Sequence, residues 1–197
     1  LPMSTELCQK YDLQMMTNNN RAANKTAFTV SIEAAEGITT GISAADRSHT
    51  IKTAVNKGSK PTDIVQPGHV FPLKAMKGGV LSRAGHTEAA CDLAKLAGLQ
   101  SAGVICEIMN EDGTMARRDD LIKFGQENEI KVGTIADLID YRLSMDATVE
   151  SVLDKDVVNE FGEFKLNVWR DKIHDEYHFS LSKGDIKSVD SPLVRVQ

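Results

Sequence analysis

A run of six residues, from Arg83 to Glu88, places a cation, an imidazole, a hydroxyl and a carboxylate side by side. Gly85 lets the backbone of this run approach a ligand closely, and the guanidinium of Arg83 can pair with a phosphate. If a helix follows directly, its free N–H groups favour an anion or a metal-bound oxyanion. The run therefore suits a phosphorylated substrate and a hard divalent metal.

A helix is predicted directly after this run. Small and apolar residues recur there at helical spacing: Ala90, Leu93, Ala94 and Ala97. Gly98 supplies the C-terminal stop. His86 and Thr87 then lie at or just before the positive end of the helix, where a metal or substrate oxygen would be held. Thr87 could instead be only the N-cap, and capping is compatible with ligand contact.

His69 and Glu107 are the other two candidates for chemistry. His69 lies in the proline- and glycine-rich segment 60–79, for which no long regular element is predicted. A lone histidine in a loop is usually a surface or capping group, so His69 is a candidate only because other residues capable of chemistry accompany it in the sequence. Glu107 ends a predicted buried strand, residues 102–106, before a turn at 110–113. It is either a partly desolvated general acid or base, or an exposed edge residue bound to a lysine.

Other elements must position these residues. Apolar and polar residues alternate from Phe28 to Glu33, which predicts a half-buried strand. The loop 36–41 follows, with two glycines and two threonines, and Ser43 can cap a helix that runs to Gly58. Such a loop either faces a ligand or is a plain connection between strand and helix.

Scaffold elements are predicted downstream. They are a helix at 121–127, a short strand at 130–132 and a helix that Thr134 caps. Beyond Asp146, alternating patterns at 164–168 and 177–181 predict an antiparallel pair joined near 171–175, and 193–196 could add a third strand. No further potential metal ligand is apparent beside His174 and His178, so we interpret these two histidines as structural. We predict an α+β fold, a mixed sheet covered by helices, with a short β-rich C-terminal appendage.

Composition narrows the class of protein. The chain has 197 residues, a net charge of -5 and scattered basic residues, which argues against nucleic-acid binding. Three widely spaced cysteines fit a reducing cytoplasm, and neither a membrane span nor a signal peptide is apparent. The chain opens at Leu1-Pro2 without an initiating methionine, so we expect a piece of a longer protein.

Four stretches, in the right order, carry a resemblance to a known family. They are FTVSIEAAEG at 28–37, TTGISAADR at 39–47, PGHVFPL at 67–73 and RAGHTE at 83–88. On these stretches the segment from Leu13 to Arg142 resembles 3,4-dihydroxy-2-butanone 4-phosphate synthase of riboflavin biosynthesis. The resemblance implies a synthase domain over residues 1–146, its N-terminal part missing, and a partial GTP cyclohydrolase II-like segment over residues 147–197.

The resemblance implies an activity and residue roles. The family is a lyase that converts D-ribulose 5-phosphate to 3,4-dihydroxy-2-butanone 4-phosphate and formate with Mg²⁺ or Mn²⁺, as a cytoplasmic homodimer whose active sites are shared between subunits. His86 would be the metal ligand, and His69 and Glu107 would transfer protons. The substrate would be bound by Arg83, Ala84, Gly85, His86, Thr87, Glu107 and Thr40.

Two departures limit these expectations. The family's acidic loop, with its second protein ligand to magnesium, lies before the first residue of this chain, so we expect the isolated polypeptide to be inactive or nearly so. The tail from Gly162 to Val196 resembles only the opening strands of the cyclohydrolase module, so no cyclohydrolase activity is expected. The alternative is a non-catalytic assembly or regulatory fragment of a bifunctional riboflavin protein. A weaker alternative is a metal-dependent sugar-phosphate isomerase or aldolase, which would release no formate.

Overall fold

A computed structural model describes residues 1–196, and the chain divides into a first unit, Leu1–Arg142, and a second unit that begins at Leu143. The first unit contains short strands and helices in mixed order, and the second contains mainly strands. The α+β prediction is therefore confirmed. No helix within residues 1–196 has the length and apolar character that crossing a bilayer requires.

The first unit is built from short strands and longer helices. In chain order these are β1 (Pro2–Met3), α1 (Thr5–Lys10), β2 (Ile32–Ala34), α2 (Ala44–Val55), β3 (Ile64–Val70), β4 (Leu73–Lys74), α3 (His86–Leu96), α4 (Arg118–Glu127) and α5 (Ile135–Met145), whose last turn extends into the second unit. Strands β1 and β4 pair in parallel, and β2 and β3 pair antiparallel. The two pairs form separate two-stranded sheets, one parallel and one antiparallel.

An apolar core holds α1 and α2 against the β2–β3 pair. Its buried members are Met3, Leu7, Cys8, Tyr11, Leu13, Ile32, Ala54, Ile64 and Val70. The hydroxyl of Tyr11 reaches the carbonyl of Ala54 at 2.9 Å, so the one polar atom of that side chain is satisfied inside the core. This core fixes β2 and β3, which carry two residues of the candidate site.

The predicted helix boundaries are largely confirmed. Ser43 caps α2 by accepting a hydrogen bond from the N–H of Asp46 at 3.0 Å, and Thr134 caps α5 through the N–H of Asp137 at 3.1 Å. Gly98 follows α3 with a φ of +75°, the left-handed conformation expected of a helix stop. The alternative that Thr87 is the N-cap of α3 is wrong, because the N-cap is Gly85 and Thr87 is buried inside the helix.

The segment 60–79 contains a regular element that we did not predict. Strand β3 spans Ile64–Val70 and includes His69, in spite of Pro67 and Gly68. Pairing with β2 jumps from Val65 opposite Glu33 to Val70 opposite Ile32, so residues 66–69 bulge out of the ladder. A bulge needs no ladder hydrogen bond from Pro67, and the proline is therefore tolerated.

Two predicted strands are wrong in this chain. Residues 103–108 adopt no regular structure, and Val104 and Ile105 are 65% and 37% exposed instead of buried. Residues 130–132 likewise form no strand, and Ile130 and Val132 are exposed. Apolar content alone predicted both strands, but a strand also needs a neighbour along its length. Among residues 1–196, the first segment pairs only through one isolated bridge between Ala102 and Met3.

The alternation predicted from Phe28 to Glu33 is confirmed only at Ile32, which is buried. Thr29 and Glu33 are buried, whereas Phe28 is exposed. Regular strand structure begins only at Ile32, and the three residues of β2 are all buried. A carboxylate in this position must be hydrogen-bonded to be tolerated, and its partners belong to the candidate site.

The second unit contains a three-stranded antiparallel sheet. Its strands are β5 (Val149–Asn159), β6 (Gly162–Asp171) and β7 (Glu176–Ser182), in the order β5–β6–β7. The predicted antiparallel pair is confirmed as β6 and β7. The predicted strand at 193–196 is wrong, because those residues have no regular structure and the third strand is β5. Charged residues interrupt the apolar pattern of β5, which hid the strand.

Candidate active site

The loop between β2 and α2 is fixed by the carboxylate of Asp46. One oxygen accepts hydrogen bonds from the Thr39 hydroxyl at 2.7 Å and the Gly41 N–H at 3.0 Å, and the other accepts from the Thr39 N–H at 3.3 Å. The bond from the Thr39 hydroxyl, with the backbone N–H groups acting in the same direction, lowers the pKa of Asp46 below its usual value. Thr40 lies between the two anchored residues and is exposed.

A second contact holds the start of the same loop. The ring Nε2 of His49, on α2, lies 3.1 Å from the carbonyl of Glu36. Gly37 has a φ of +78°, and an added Cβ there would lie 2.6 Å from the same ring nitrogen. The loop is thus anchored at both ends to α2, which keeps Thr40 in a defined place.

His69 is tied to a buried carboxylate. The ring Nδ1 of His69 lies 2.6 Å from Oε2 of Glu33, and the backbone N–H of His69 donates to the same oxygen at 3.1 Å. The Thr50 hydroxyl lies 3.1 Å from Oε1 of Glu33, and the Ala34 N–H donates to that hydroxyl at 3.0 Å. Glu33 is 6% exposed, so these groups replace its hydration.

The bulge in β3 delivers His69 to this carboxylate. The N–H of Gly68 donates to the Ser31 hydroxyl at 3.1 Å. A Cβ on Gly68 would collide with the backbone of Ile32 and Glu33, so only glycine allows the two strands to approach this closely. The sequence therefore forms the bulge at the position where the imidazole meets Glu33.

Arg83 is held by a fully buried glutamate. Its Nη1 donates to Oε2 of Glu88 at 2.6 Å, and its Nη2 donates to the carbonyl of Asn24 at 3.3 Å. Glu88 is 1% exposed and also accepts a hydrogen bond from the Met76 N–H at 2.9 Å. The guanidinium is therefore oriented before any ligand arrives, while about a third of the Arg83 side chain stays exposed.

A second acidic residue of α3 holds the preceding loop. Asp92 accepts hydrogen bonds from the Val80 N–H at 2.8 Å and from Nη1 of Arg142 at 2.8 Å. Arg142 also donates to the carbonyl of Gly78 at 2.7 Å. Because Glu88 and Asp92 are four residues apart, they lie on one side of α3 and fix the loop that leads into Arg83.

The N-terminus of α3 is open to a ligand. Its N-cap is Gly85, which has no side chain to satisfy the N–H groups of the first turn. Within residues 1–196, the backbone N–H groups of His86, Thr87 and Glu88 donate no hydrogen bond. His86 and Ala84 are exposed, Gly85 is half-buried and Thr87 is buried. This end of the helix can accept a phosphate or another anion beside Arg83.

Glu107 stands apart from these groups. It is exposed, so the predicted partial desolvation is wrong, and within residues 1–196 its carboxylate makes no hydrogen bond or ion pair, so the predicted contact with a lysine is absent as well. No hydrogen bond or ion pair among the same residues joins His69, His86 and Glu107. The structure therefore places Gly41, the neighbour of Thr40, against the Glu33–His69 pair, and Arg83 next to the start of α3. Within residues 1–196 it brings no partner to the Glu107 carboxylate.

The described residues do not complete a magnesium site. Among residues 1–196, no group of three or more histidine, cysteine, aspartate or glutamate side chains could hold a metal ion. His86 offers one nitrogen, whereas Mg²⁺ prefers oxygen ligands in octahedral arrangement.

Two of the three cysteines are buried and poorly suited to act as nucleophiles. Cys8 and Cys91 are buried and free, and burial raises the pKa of Cys8 to about 11 and that of Cys91 to about 12. Both thiols are therefore protonated at neutral pH. Cys106 is free and exposed.

Sequence reasoning missed the residues that orient the site: Glu33, Asp46, Thr50 and Glu88. Their partners are 17 to 36 residues away for Glu33, and 5 to 12 residues away for Glu88. The one available signal was an acidic residue inside an otherwise buried pattern, as at Glu33 in the strand and Glu88 in the first turn of α3.

Comparison with known proteins gives a consistent result. The pattern of the family "3,4-dihydroxy-2-butanone 4-phosphate synthase" matches residues 1–141. The protein of that name from Neisseria meningitidis serogroup B is 56% identical over 196 residues, which cover 100% of this chain and 54% of the relative. Riboflavin biosynthesis protein RibBA from Aquifex aeolicus is 51% identical, covering 100% of this chain and 49% of the relative. The chain thus spans about half the length of these curated relatives.

Solved structures with the same family name also match this chain. The crystal structure of RibBX, a two-domain 3,4-dihydroxy-2-butanone 4-phosphate synthase from A. baumannii, matches with a TM-score of 0.82 and 52% identity, over 93% of this chain and 54% of that one. A 3,4-dihydroxy-2-butanone 4-phosphate synthase in complex with two magnesium ions matches with a TM-score of 0.66 and 34% identity, over 73% of this chain and 72% of that one.

Proposed function

Because the chain belongs to the 3,4-dihydroxy-2-butanone 4-phosphate synthase family, we propose that it forms part of a lyase of riboflavin biosynthesis. The substrate is D-ribulose 5-phosphate, and the products are 3,4-dihydroxy-2-butanone 4-phosphate and formate. The observation that carries the proposal is the uncapped start of α3 next to an arginine that a buried glutamate holds in place. That arrangement suits a phosphorylated substrate.

Arg83 and the first turn of α3 bind the substrate in this proposal. The N–H groups at His86 and Thr87 have no partner within the described residues, and the exposed part of the Arg83 guanidinium adds a positive charge beside them. Ala84 and Gly85 let the backbone come close to the substrate, and Thr40 contributes a hydroxyl from the anchored loop. Glu107 binds the substrate from the segment that follows α3.

His69 and Glu107 transfer protons. Conversion of a ketose phosphate to a four-carbon phosphate and formate requires enolisation, loss of water, a skeletal shift and expulsion of formate after water returns. Protons must therefore be removed and delivered at several carbon and oxygen atoms, which needs groups that can act as base and then as acid. The imidazole of His69 supports one such role, because Glu33 fixes one ring nitrogen and leaves the other available.

The proposed cofactor is Mg²⁺ or Mn²⁺, with His86 as the one ligand that this chain contributes. One homologous structure contains two magnesium ions. Because residues 1–196 contain no group of three or more histidine, cysteine, aspartate or glutamate side chains that could hold a metal ion, we propose that the isolated 197-residue polypeptide binds the metal weakly and releases formate slowly or not at all.

The proposed assembly is a cytoplasmic homodimer with shared active sites that binds neither nucleic acid nor a membrane. Leu93 and Leu96 on α3, and Leu99 just after it, are exposed apolar residues that support association with another chain. Residues 1–146 would be the synthase domain and residues 147–197 a GTP cyclohydrolase II-like segment. The scattered basic residues and the net charge of -5 support the absence of nucleic-acid binding.

A formate assay and a calorimetric titration test this function. Both use a polypeptide of the relatives' length that contains this chain, with D-ribulose 5-phosphate and Mg²⁺. The lyase binds the substrate and releases one formate per substrate consumed. The alternative, a non-catalytic assembly or regulatory fragment, gives neither signal, and a sugar-phosphate isomerase or aldolase consumes the substrate without formate.

A further inference from the structure

The hydrogen bonds around Glu33 determine where each proton lies. The Thr50 hydroxyl already accepts a hydrogen bond from the Ala34 N–H, so its own proton is free to point at Oε1 of Glu33. The backbone N–H of His69 can only donate, and it points at Oε2. Both carboxylate oxygens thus receive donors, which is the pattern of an ionised, acceptor-only carboxylate.

This pattern assigns a tautomer to His69. An ionised carboxylate cannot donate to Nδ1, so at 2.6 Å from Oε2 of Glu33 the Nδ1 atom must itself carry a proton. The neutral imidazole then has its lone pair on Nε2.

The residues around Glu33 and His69 hold these two side chains in one arrangement. The Glu33 side chain is 8% exposed, whereas that of His69 is 45% exposed, so the carboxylate is enclosed and the ring reaches the surface. Gly41, at a φ of +82°, places its backbone directly over the pair, and a Cβ there would collide with Oε2 of Glu33 and lie 2.7 Å from Nδ1 of His69. Nδ1 is therefore inside the fold, and Nε2 is the ring nitrogen left for chemistry.

We propose that Glu33, supported by Thr50, is a positioning residue that holds His69 as the Nδ1–H tautomer and so makes Nε2 the atom that exchanges protons with the substrate. This inference rests on the proposed function, because it assigns the substrate-facing atom of a residue placed there in proton transfer. A purely structural Glu33 would join β2, β3 and α2 but would not influence which ring nitrogen of His69 is protonated.

Side-chain nitrogen NMR on the 197-residue chain tests the tautomer directly. With ¹⁵N-labelled histidine, at a pH where the imidazole is neutral, His69 should show a protonated Nδ1 and an unprotonated Nε2. In Glu33→Gln, whose amide can donate as well as accept, both tautomers should appear. Glu33→Asp keeps the charge and should retain the Nδ1–H form in part. Glu127→Gln, a matched change at the exposed end of α4, should leave the His69 signals as in the wild type.

Kinetics in the longer polypeptide supply the functional test. Glu33→Gln should lower kcat at least about ten-fold, a part of the roughly 10²–10⁴-fold that a whole acid–base group contributes, with KM changed less than about two-fold, and Glu33→Asp should recover part of the loss. If Glu33→Gln fails to fold, the Asp variant decides. A wild-type tautomer and a wild-type kcat in folded Glu33→Gln, or in Glu33→Asp where only that variant folds, would overturn the inference. Formate release by His69→Ala at the wild-type rate would instead overturn the proposed role of His69, whatever the tautomer shows.

Discussion

The guanidinium of Arg83 lies 2.6 Å from the carboxylate of Glu88, a side chain that is almost completely removed from solvent. The same carboxylate holds the backbone N–H of Met76. A single buried acid therefore fixes both the loop that enters the candidate site and the cation that we assign to substrate binding. Removing the cation leaves a buried negative charge with only a backbone partner.

Arg83→Met should lower the free energy of unfolding by about 2 kcal/mol. A hydrogen bond between charged groups contributes about 1.5–3 kcal/mol, and partial exposure of the Arg83 side chain keeps the effect below that of a fully buried pair. Urea unfolding of the 197-residue chain measures the change. Arg21→Met is the matched control, because Arg21 is exposed. Equal stability of the two variants would show that the ion pair does not hold the loop.

Gly41→Ala should destabilise the chain by about 2 kcal/mol and shift the NMR signals of His69. A left-handed backbone costs a residue with a side chain about 1–2 kcal/mol, and the new Cβ would also press on the Glu33–His69 pair. Gly133→Ala is the control, since no atom lies within 4 Å of a Cβ at that position. Unchanged His69 signals in a folded Gly41→Ala chain would contradict the packing of this loop over the pair.

Asp46→Asn should lower the free energy of unfolding at neutral pH. The difference from the wild type should disappear in acid. Because hydrogen bonds lower the pKa of Asp46 from its ordinary value of 3.8, its stabilisation is complete above that value and is lost as the pH falls through the lower pKa of the folded state. Unfolding experiments on both chains from pH 7 to pH 3 give the comparison. A stability difference that grows toward low pH would have the wrong sign.

Thiol labelling should modify one of the three cysteines rapidly. Cys106 is exposed, while Cys8 and Cys91 are buried and have raised pKa values. A chromogenic disulfide reagent at neutral pH should therefore consume one fast equivalent per native 197-residue chain and three after denaturation. Cys106→Ser should remove the fast phase. Two or more fast equivalents in the native chain would mean that α1 or α3 opens readily.

The sequence predicts well what local chemistry decides. Ser43 and Thr134 cap helices, Gly98 ends one, and the run from Arg83 to Glu88 leads into a helix, because each signal acts within one turn. Strands are harder to predict, because a strand requires a partner. The predicted strand at 102–106 has the right residues but, within residues 1–196, pairs only through the bridge between Ala102 and Met3, while β3 forms across Pro67 because β2 accepts a bulge.

The residues of the candidate site likewise divide into those that the sequence predicts and those that it does not. Residues with a short sequence motif, such as Arg83, His86 and His69, can be named from the sequence. Residues that orient them cannot, because Glu33 meets His69 across 36 positions and Thr50 across 17. Burial reversed the expected alternation at Glu33, and only the folded chain shows that three donors satisfy its carboxylate.

Formate release by matched histidine variants tests the central claim most directly. In a polypeptide of the relatives' length that contains this chain, with D-ribulose 5-phosphate and Mg²⁺, His69→Ala should reduce the rate of formate release at least about one hundred-fold, as expected for loss of an acid–base group. His178→Ala, on strand β7 of the second unit, should retain the wild-type rate. Equal rates for the two variants would contradict the assignment of His69 to the reaction.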